Sequence, residues 1–320
     1  MRVTDSDLAP FAIPSEFAGQ RLDQALAALV PGYSRARLQR WIKRGAITVD
    51  GAVSRCKHRL AGGELVELEL PDDECLDDFA PEPMALEVVH EDASLVVINK
   101  PPGLVVHPAA GNWSGTLLNG LLDRYPELSA VPRAGIVHRL DKDTSGLLVV
   151  ARTLTAHKHL VAALEARTVS RTYAALVEGQ LVAGGTVSAP IARHPVDRKR
   201  MAVVQGGKTA VTHYRIARRY AAHTLLEVRL ETGRTHQIRV HMAYLRHPVV
   251  GDPVYPGRLR LPKNADPALV AALQGLRRQA LHATRLAFEH PETHQAVSWE
   301  AALPDDFACL LQALEPYQAP

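Results

Sequence analysis

Residues 71–84 read PDDECLDDFAPEPM, and no other stretch so limits what the chain can fold into. It holds three prolines, and from Pro71 to Glu82 it carries six acids and no basic residue. Such a segment lacks both sustained apolar periodicity and charge balance, so it reads as a linker rather than core. It divides the 320 residues into a small module over 1–75 and a larger part over 83–320. The module has its core over about 19–70, with the acidic linker over about 71–82. Two domains also suit the length.

The composition is that of an ordinary globular protein, 47% apolar and 22% charged. No run approaches the roughly 18 apolar residues that span a bilayer, and no membrane association is expected. MRVTDSDLAP has acids and no apolar stretch, so it is not read as a signal peptide. Cys56, Cys75 and Cys309 lie far apart and form no CxxC pair. They fit neither a disulfide framework nor a cysteine zinc site, which points to the cytoplasm. The net charge of +3 is uninformative, but its distribution is not. Ser34 to Arg59 holds eight Lys/Arg against one acid, as does Arg193 to Arg219. Two concentrated basic stretches are either solvated faces or the footprint of polyanion binding.

In the small module, Arg21 to Leu29 spaces Leu22, Leu26 and Leu29 on one helical stripe. Ser34 is placed to cap a second helix that runs to about Lys43. There Leu38, Trp41 and Ile42 face one way, and Arg35, Arg37, Arg40, Lys43 and Arg44 supply a basic surface. ITVDGAV predicts a hairpin around Asp50-Gly51. This pattern, RLDQAL through SRARLQRWIKRGAITVDG, resembles the S-four-like RNA-binding fold. The resemblance implies that the basic residues rest on RNA phosphates, whose neutralisation releases counterions.

The larger part alternates short apolar runs with turn residues. LVVIN (95–99), AGIVHRL (134–140), LLVVA (147–151), RTYAALVEG (171–179) and HTLLEVRLETG (223–233) read as strands. Thr155 to Arg167 and Thr235 to Leu245 read as helices. Strands outnumber helices and do not alternate with them regularly. That predicts an α+β fold with a mixed, mainly antiparallel central sheet.

No nucleotide-binding glycine motif and no HExxH is present. His236 and His241 are five apart, a spacing that does not converge on a metal, so no metal is expected. The run GIVHRLDKDTSGLLVVA (135–151) carries an acid into a Gly-closed loop between apolar runs. By local physics alone Asp141 is either a turn-capping carboxylate or a catalytic group held at a strand exit.

That run stands with VINKPPGLVVHPAAGN (97–112), RTYAALVEG, LETGRTHQIRVHMA (230–243) and HPVVGDPVYPG (247–257). In this order and spacing they resemble the RluA superfamily of pseudouridine synthases. The resemblance implies isomerisation of uridine to pseudouridine, with no metal and no cofactor. It implies that Asp141 is the essential carboxylate, Tyr173 stacks on the base, and Arg239 pairs with Asp141. Arg139, beside His138, would contact RNA around the flipped uridine, and Leu140 and Ile238 would wall the base pocket. Arg234 is an RNA contact and the alternative partner for Asp141, one turn from Arg239 if the segment is helical. The implied substrate is 23S rRNA in the large ribosomal subunit precursor, at several uridines of the helix 69 stem-loop, and the enzyme is a monomer. The alternatives are a non-catalytic RNA-binding or ribosome-assembly protein, a synthase for other rRNA or tRNA uridines, and a hydrolase with an Asp nucleophile. No role is assigned to the residues after Pro304.

Overall fold

The computed structural model describes residues 10–30, 35–68, 79–108, 112–197 and 200–319, and of Ala36, Arg37 and Arg40 the backbone only. Contacts group the chain into two compact units, Met1–Cys75 and Leu76–Pro320. Ser34 and most of the acidic stretch, including Cys75, lie outside the described residues.

The first unit comprises β1 (Phe11–Ala12), α1 (Leu22–Leu29), α2 (Arg35–Arg44), β2 (Ile47–Val49), β3 (Ala52–Val53) and β4 (Leu65–Leu68). Its sheet is antiparallel in the order β1-β4-β2-β3. The leucine stripe of α1 and Leu38, Trp41 and Ile42 of α2 are buried together over that sheet. Asp50 and Gly51 both take positive φ, 51° and 72°, as a tight hairpin of this kind demands. One basic residue departs from expectation. Arg35 gives two hydrogen bonds to the buried Asp23, with Arg21 and Gln39 on the same carboxylate. Its guanidinium is therefore committed within the unit, because a buried carboxylate must be compensated. Lys43 and Arg44 are exposed at the end of α2.

The second unit comprises β5 (Val88–Glu91), β6 (Leu95–Lys100), α3 (Leu117–Arg124), β7 (Ser145–Ala151), α4 (Leu154–Glu165), β8 (Ser170–Glu178) and β9 (Gly185–Ser188). There follow β10 (Ile191–Arg193), β11 (Met201–Val203), β12 (Val211–Arg219), β13 (His223–Leu230), α5 (Gln237–Tyr244), α6 (Pro267–Gly275), β14 (Leu281–Glu289), β15 (Ala296–Glu300) and α7 (Asp305–Leu314). The large sheet runs β5-β6-β7-β14-β8-β13-β12-β9, with β15 also on β14. Every pairing in it is antiparallel except β7 with β14, so the sheet is mixed and mainly antiparallel.

The continuous apolar runs reflect burial on both faces. Val96, Ile98, Leu148 and Val150 point into one core with α3, α6 and α7. Leu95, Val97, Leu147 and Val149 point into another under α4. Each such side chain contributes about 1.5–3 kcal/mol on burial. Among the described residues, no helix is long and apolar enough to cross a membrane.

The expected strand over 134–140 does not form. Arg133, Ala134 and Gly135 take positive φ instead, at 56°, 49° and 74°. Only Ile136 bridges to Val150. The positive-φ turn breaks the run, and the side of β7 beyond its short pairing with β14 is covered piecemeal. A Cβ at Gly135 would lie 1.9 Å from the carbonyl oxygen of Ala151, and His138 Nε2 accepts the Val149 N–H at 3.1 Å. A side chain does there what a ladder would otherwise do.

Candidate active site

The site gathers where β7 begins, where β8 crosses the sheet and where α5 packs against β11 and β12. Asp141 opens a turn closed by Thr144 N–H on the Asp141 carbonyl, 3.1 Å. Its side chain is 14% exposed, so one part faces solvent and one faces protein. Arg239 Nη1 donates to Asp141 Oδ2 at 2.9 Å.

Arg239 is itself held by a group that sequence reasoning missed. Its Nε and Nη2 form a bidentate pair with Asp252, at 2.7 and 2.9 Å. Asp252 Oδ1 also accepts from Val254 N–H and Tyr255 N–H. Burial pushes the Asp252 carboxyl up, but Arg239 and these two amides outweigh it and hold it low. Burial likewise opposes the charge on Arg239, and the two carboxylates overcome it. Asp252 thus fixes the fork so that one nitrogen points at Asp141. In the sequence this acid lies inside the run HPVVGDPVYPG, with nothing to single it out as a partner of Arg239.

Tyr255 completes the cradle. Its ring lies 5.3 Å beneath the Arg239 guanidinium and 5.1 Å from that of Arg200. Its hydroxyl accepts from Met201 N–H at 2.8 Å and lies 2.9 Å from His236 Nδ1. The phenol hydrogen is then free to go to Nδ1. His236 starts α5 with φ 56°, so the helix does not extend back to Arg234. Arg234 lies in an exposed turn, donating to the Thr209 carbonyl, and Arg239 is the partner of Asp141. The helical spacing between the two, expected from sequence, ends at His236.

Opposite Arg239, α5 buries two polar side chains against β12. Gln237 donates to Val211 O and Thr212 Oγ1, and accepts from Thr232 Oγ1 and Arg234 N–H. His241 Nε2 donates to Ala189 O, and its Nδ1 accepts from Thr212 Oγ1. Both residues are satisfied, which fixes the rotation of α5 and hence the direction of Arg239.

Tyr173 sits in β8 between Val228 and Ala283 and is 5% exposed. Burial above all pushes its phenol up. Arg171 opposes and Asp141 adds to the rise. Leu140 and Ile238 are buried in the same core cluster as Tyr173. Arg139 is exposed. His138 departs from the expected RNA contact. Burial first, then Arg171, push its imidazole down to about 3, and its Nε2 serves β7.

Three further contacts tie down the turn that carries Asp141. Lys100, fully buried at the end of β6, donates to the carbonyls of Pro101, Leu104 and Lys142 at 2.8, 2.9 and 2.9 Å. Burial pushes this amine down to about 7, against the pull of Asp143 and Asp141. Three carbonyls require three hydrogens, which only the ammonium has. Arg278 donates to Asp143 O, and Gln279 donates to Thr144 Oγ1.

The second basic stretch is less available than its sequence suggested. Arg215 pairs with Glu227, Arg218 with Glu315, and Arg219 donates to the carbonyls of Leu181 and Val182. Arg198 and Lys199 lie outside the described residues. Among the described residues, no group of three or more His, Cys, Asp or Glu is arranged to hold a metal ion.

Comparison with known proteins places the chain in a family. The model described as RNA pseudouridylate synthase matches residues 94–244, and that of the S4 domain matches 20–66. The sequence is 55% identical over 302 residues to ribosomal large subunit pseudouridine synthase D of Pseudomonas aeruginosa, covering 94% of each chain. It is 54% identical over 310 residues to the protein of the same description from Xanthomonas campestris, covering 97% of this chain and 93% of that one. Among solved structures, human RNA pseudouridylate synthase domain containing 4 superposes with a TM-score of 0.56 at 26% identity, covering 71% of this chain and 92% of that one. Human RNA pseudouridylate synthase domain containing 1 gives 0.53 at 27%, covering 75% and 91%.

Proposed function

The chain belongs to the RNA pseudouridylate synthase family, and we propose that it isomerises uridines of 23S rRNA in the large ribosomal subunit precursor, several of them in the helix 69 stem-loop. It is a pseudouridine synthase, an isomerase of RNA. The observation that carries the mechanistic reading is the ordered trio Asp252–Arg239–Asp141.

The reaction breaks the bond from the ribose anomeric carbon to uracil nitrogen, turns the base, and rejoins it through ring carbon 5. Carbon 5 gives up its hydrogen as a proton, the freed nitrogen takes one up, and nothing else is gained or lost, so no cofactor is required by the balance. Asp141 acts in one of two ways. It attacks the anomeric carbon as a nucleophile, or it takes the neighbouring sugar proton as a base. Both need an ionised carboxylate with an oxygen free for the substrate. Arg239 engages Oδ2, so Oδ1 is the oxygen we assign to the ribose. The trio carries two negative charges and one positive, which leaves the excess charge for the chemistry.

Tyr173 supplies the face on which the detached uracil stays stacked, worth about 1–3 kcal/mol per base. Leu140 and Ile238 shield that face from water. A stacked uridine cannot reach Asp141, so it must be flipped at a cost of a few kcal/mol. Arg139 lies exposed two residues before Asp141, where it fills the vacated stack. Residues 1–75 act as the RNA-binding domain, with Lys43 and Arg44 toward phosphate, and 83–320 as the catalytic domain.

The test is a pseudouridine map of 23S rRNA from cells lacking the protein. Loss of the helix 69 modifications, restored by the wild-type chain and not by Asp141→Asn, is expected. An unchanged 23S map with losses in tRNA or elsewhere would overturn the assigned target.

A further inference from the structure

Arg278 and Asp306 both lie beyond residue 244, where the matched family model stops. Asp306 stands in the first turn of α7, anchored by the next residue, Phe307, which is buried in the main core together with Leu310 and Leu314. Arg278 Nε and Nη2 form a bidentate pair with Asp306, both at 2.6 Å. Its Nη1 then reaches Asp143 O at 3.2 Å and Gln279 O at 3.3 Å. The adjacent Gln279 holds Thr144 Oγ1 at 3.0 Å. This repeats the Asp252–Arg239–Asp141 design. A carboxylate takes one edge of a guanidinium through two nitrogens and leaves the third nitrogen aimed at the turn, here at its backbone rather than at the reacting acid.

We propose that the Asp306–Arg278 pair makes the C-terminal helix a clasp that positions the Asp141 turn for catalysis. The proposal rests on Asp141 being the reactive group. Arg278 and Asp306 are positioning residues and touch no substrate. The physical reason is burial. The Arg278 side chain is only 10% exposed, so without Asp306 its charge must find another acceptor or swing toward water. Either movement releases Asp143 O. Misplacing a reacting group by about 1 Å costs on the order of a hundredfold in rate, so a partial release costs on the order of tenfold.

The test uses the full chain and an RNA stem-loop substrate, with wild type, Asp306→Asn, Asp306→Glu, Arg278→Lys and the Asp306→Asn/Arg278→Lys double variant. The expected result is a kcat about tenfold lower for Asp306→Asn and Arg278→Lys, with KM within about twofold and folded fraction unchanged at the assay temperature. The double variant should be no worse than either single one, because both break one unit. Asp306→Glu, which keeps the charge, should recover most of the rate. Wild-type kcat in a folded Asp306→Asn chain, or losses that multiply in the double variant, would overturn the clasp. So would losses that track the unfolded fraction. An active Asp141→Asn control would instead overturn the reading on which the clasp rests.

Discussion

Asp252 is the residue through which the site keeps its geometry. It is fully buried, spends both oxygens on Arg239, and draws two backbone amides besides. Asp252→Asn keeps the shape but loses one acceptor and the charge. Arg239 is then freed to turn toward Asp141 or to leave it. A kcat lower by about 10²-fold is expected, with RNA affinity within about threefold, measured by steady-state kinetics beside a binding titration. A variant with wild-type kcat would show that Arg239 needs no second carboxylate. Asp141, Tyr173 and Arg239 were named through the ordered family motifs and not through local chemistry, and the structure adds the hydrogen bond between Arg239 and Asp141. Asp141 alone read equally well as a turn cap. Asp252 was not legible as a partner, because a bidentate pair between residues 13 apart leaves no spacing signal.

At the level of elements, the start of β7 decides whether the Asp141 turn is delivered correctly. Gly146 has φ 113° and pairs in parallel with Ala283, where an added Cβ would sit 2.3 Å from the Ala283 carbonyl oxygen. Gly146→Ala is therefore expected to destabilise by about 3 kcal/mol or more, read from urea unfolding, and to lose turnover with it. A stable, active variant would mean that the β7–β14 junction can open without consequence. Strand runs buried on both faces were readable, since near-continuous Val, Leu and Ile have few other solutions. The run before Asp141 misled for a physical reason. AGIVHRL has strand composition, but Gly135 and His138 close the β7 edge by contact and side chain instead of a ladder. Likewise Arg234 was an alternative partner for Asp141 only if its segment were helical, and α5 begins after the left-handed His236, a backbone choice that hydrophobic periodicity does not encode.

Over the whole molecule, both compact units bury a compensated charge, Asp23 in the first and Asp252 with Arg239 in the second. In the first, burial pushes Asp23 up, but Arg21, Arg35 and Gln39 win and bring it from 3.8 down to about 2. A carboxylate lowered on folding adds stability that is fully present above the unfolded value and lost as pH falls through the folded one. Unfolding of this unit should therefore become easier between about pH 4 and pH 2. Trp41, buried in its core, reports the transition once Trp113 and Trp299 are replaced by Phe. Asp23→Asn should remove that slope, and an unchanged slope would refute the assignment. The two basic stretches read either as solvated faces or as a footprint of polyanion binding, and the structure pairs Arg35, Arg215 and Arg218 with acids of the chain itself. A basic run in sequence does not show which of its charges are already paired.

The central claim is that Asp141 performs the chemistry. Its direct measurement is tritium release from RNA labelled at uracil carbon 5, with the wild-type chain and Asp141→Asn compared at matched RNA occupancy. Release by wild type, and none by an Asp141→Asn chain that binds the RNA with unchanged affinity, is the expected result. Release at a comparable rate by the fully folded variant would contradict it.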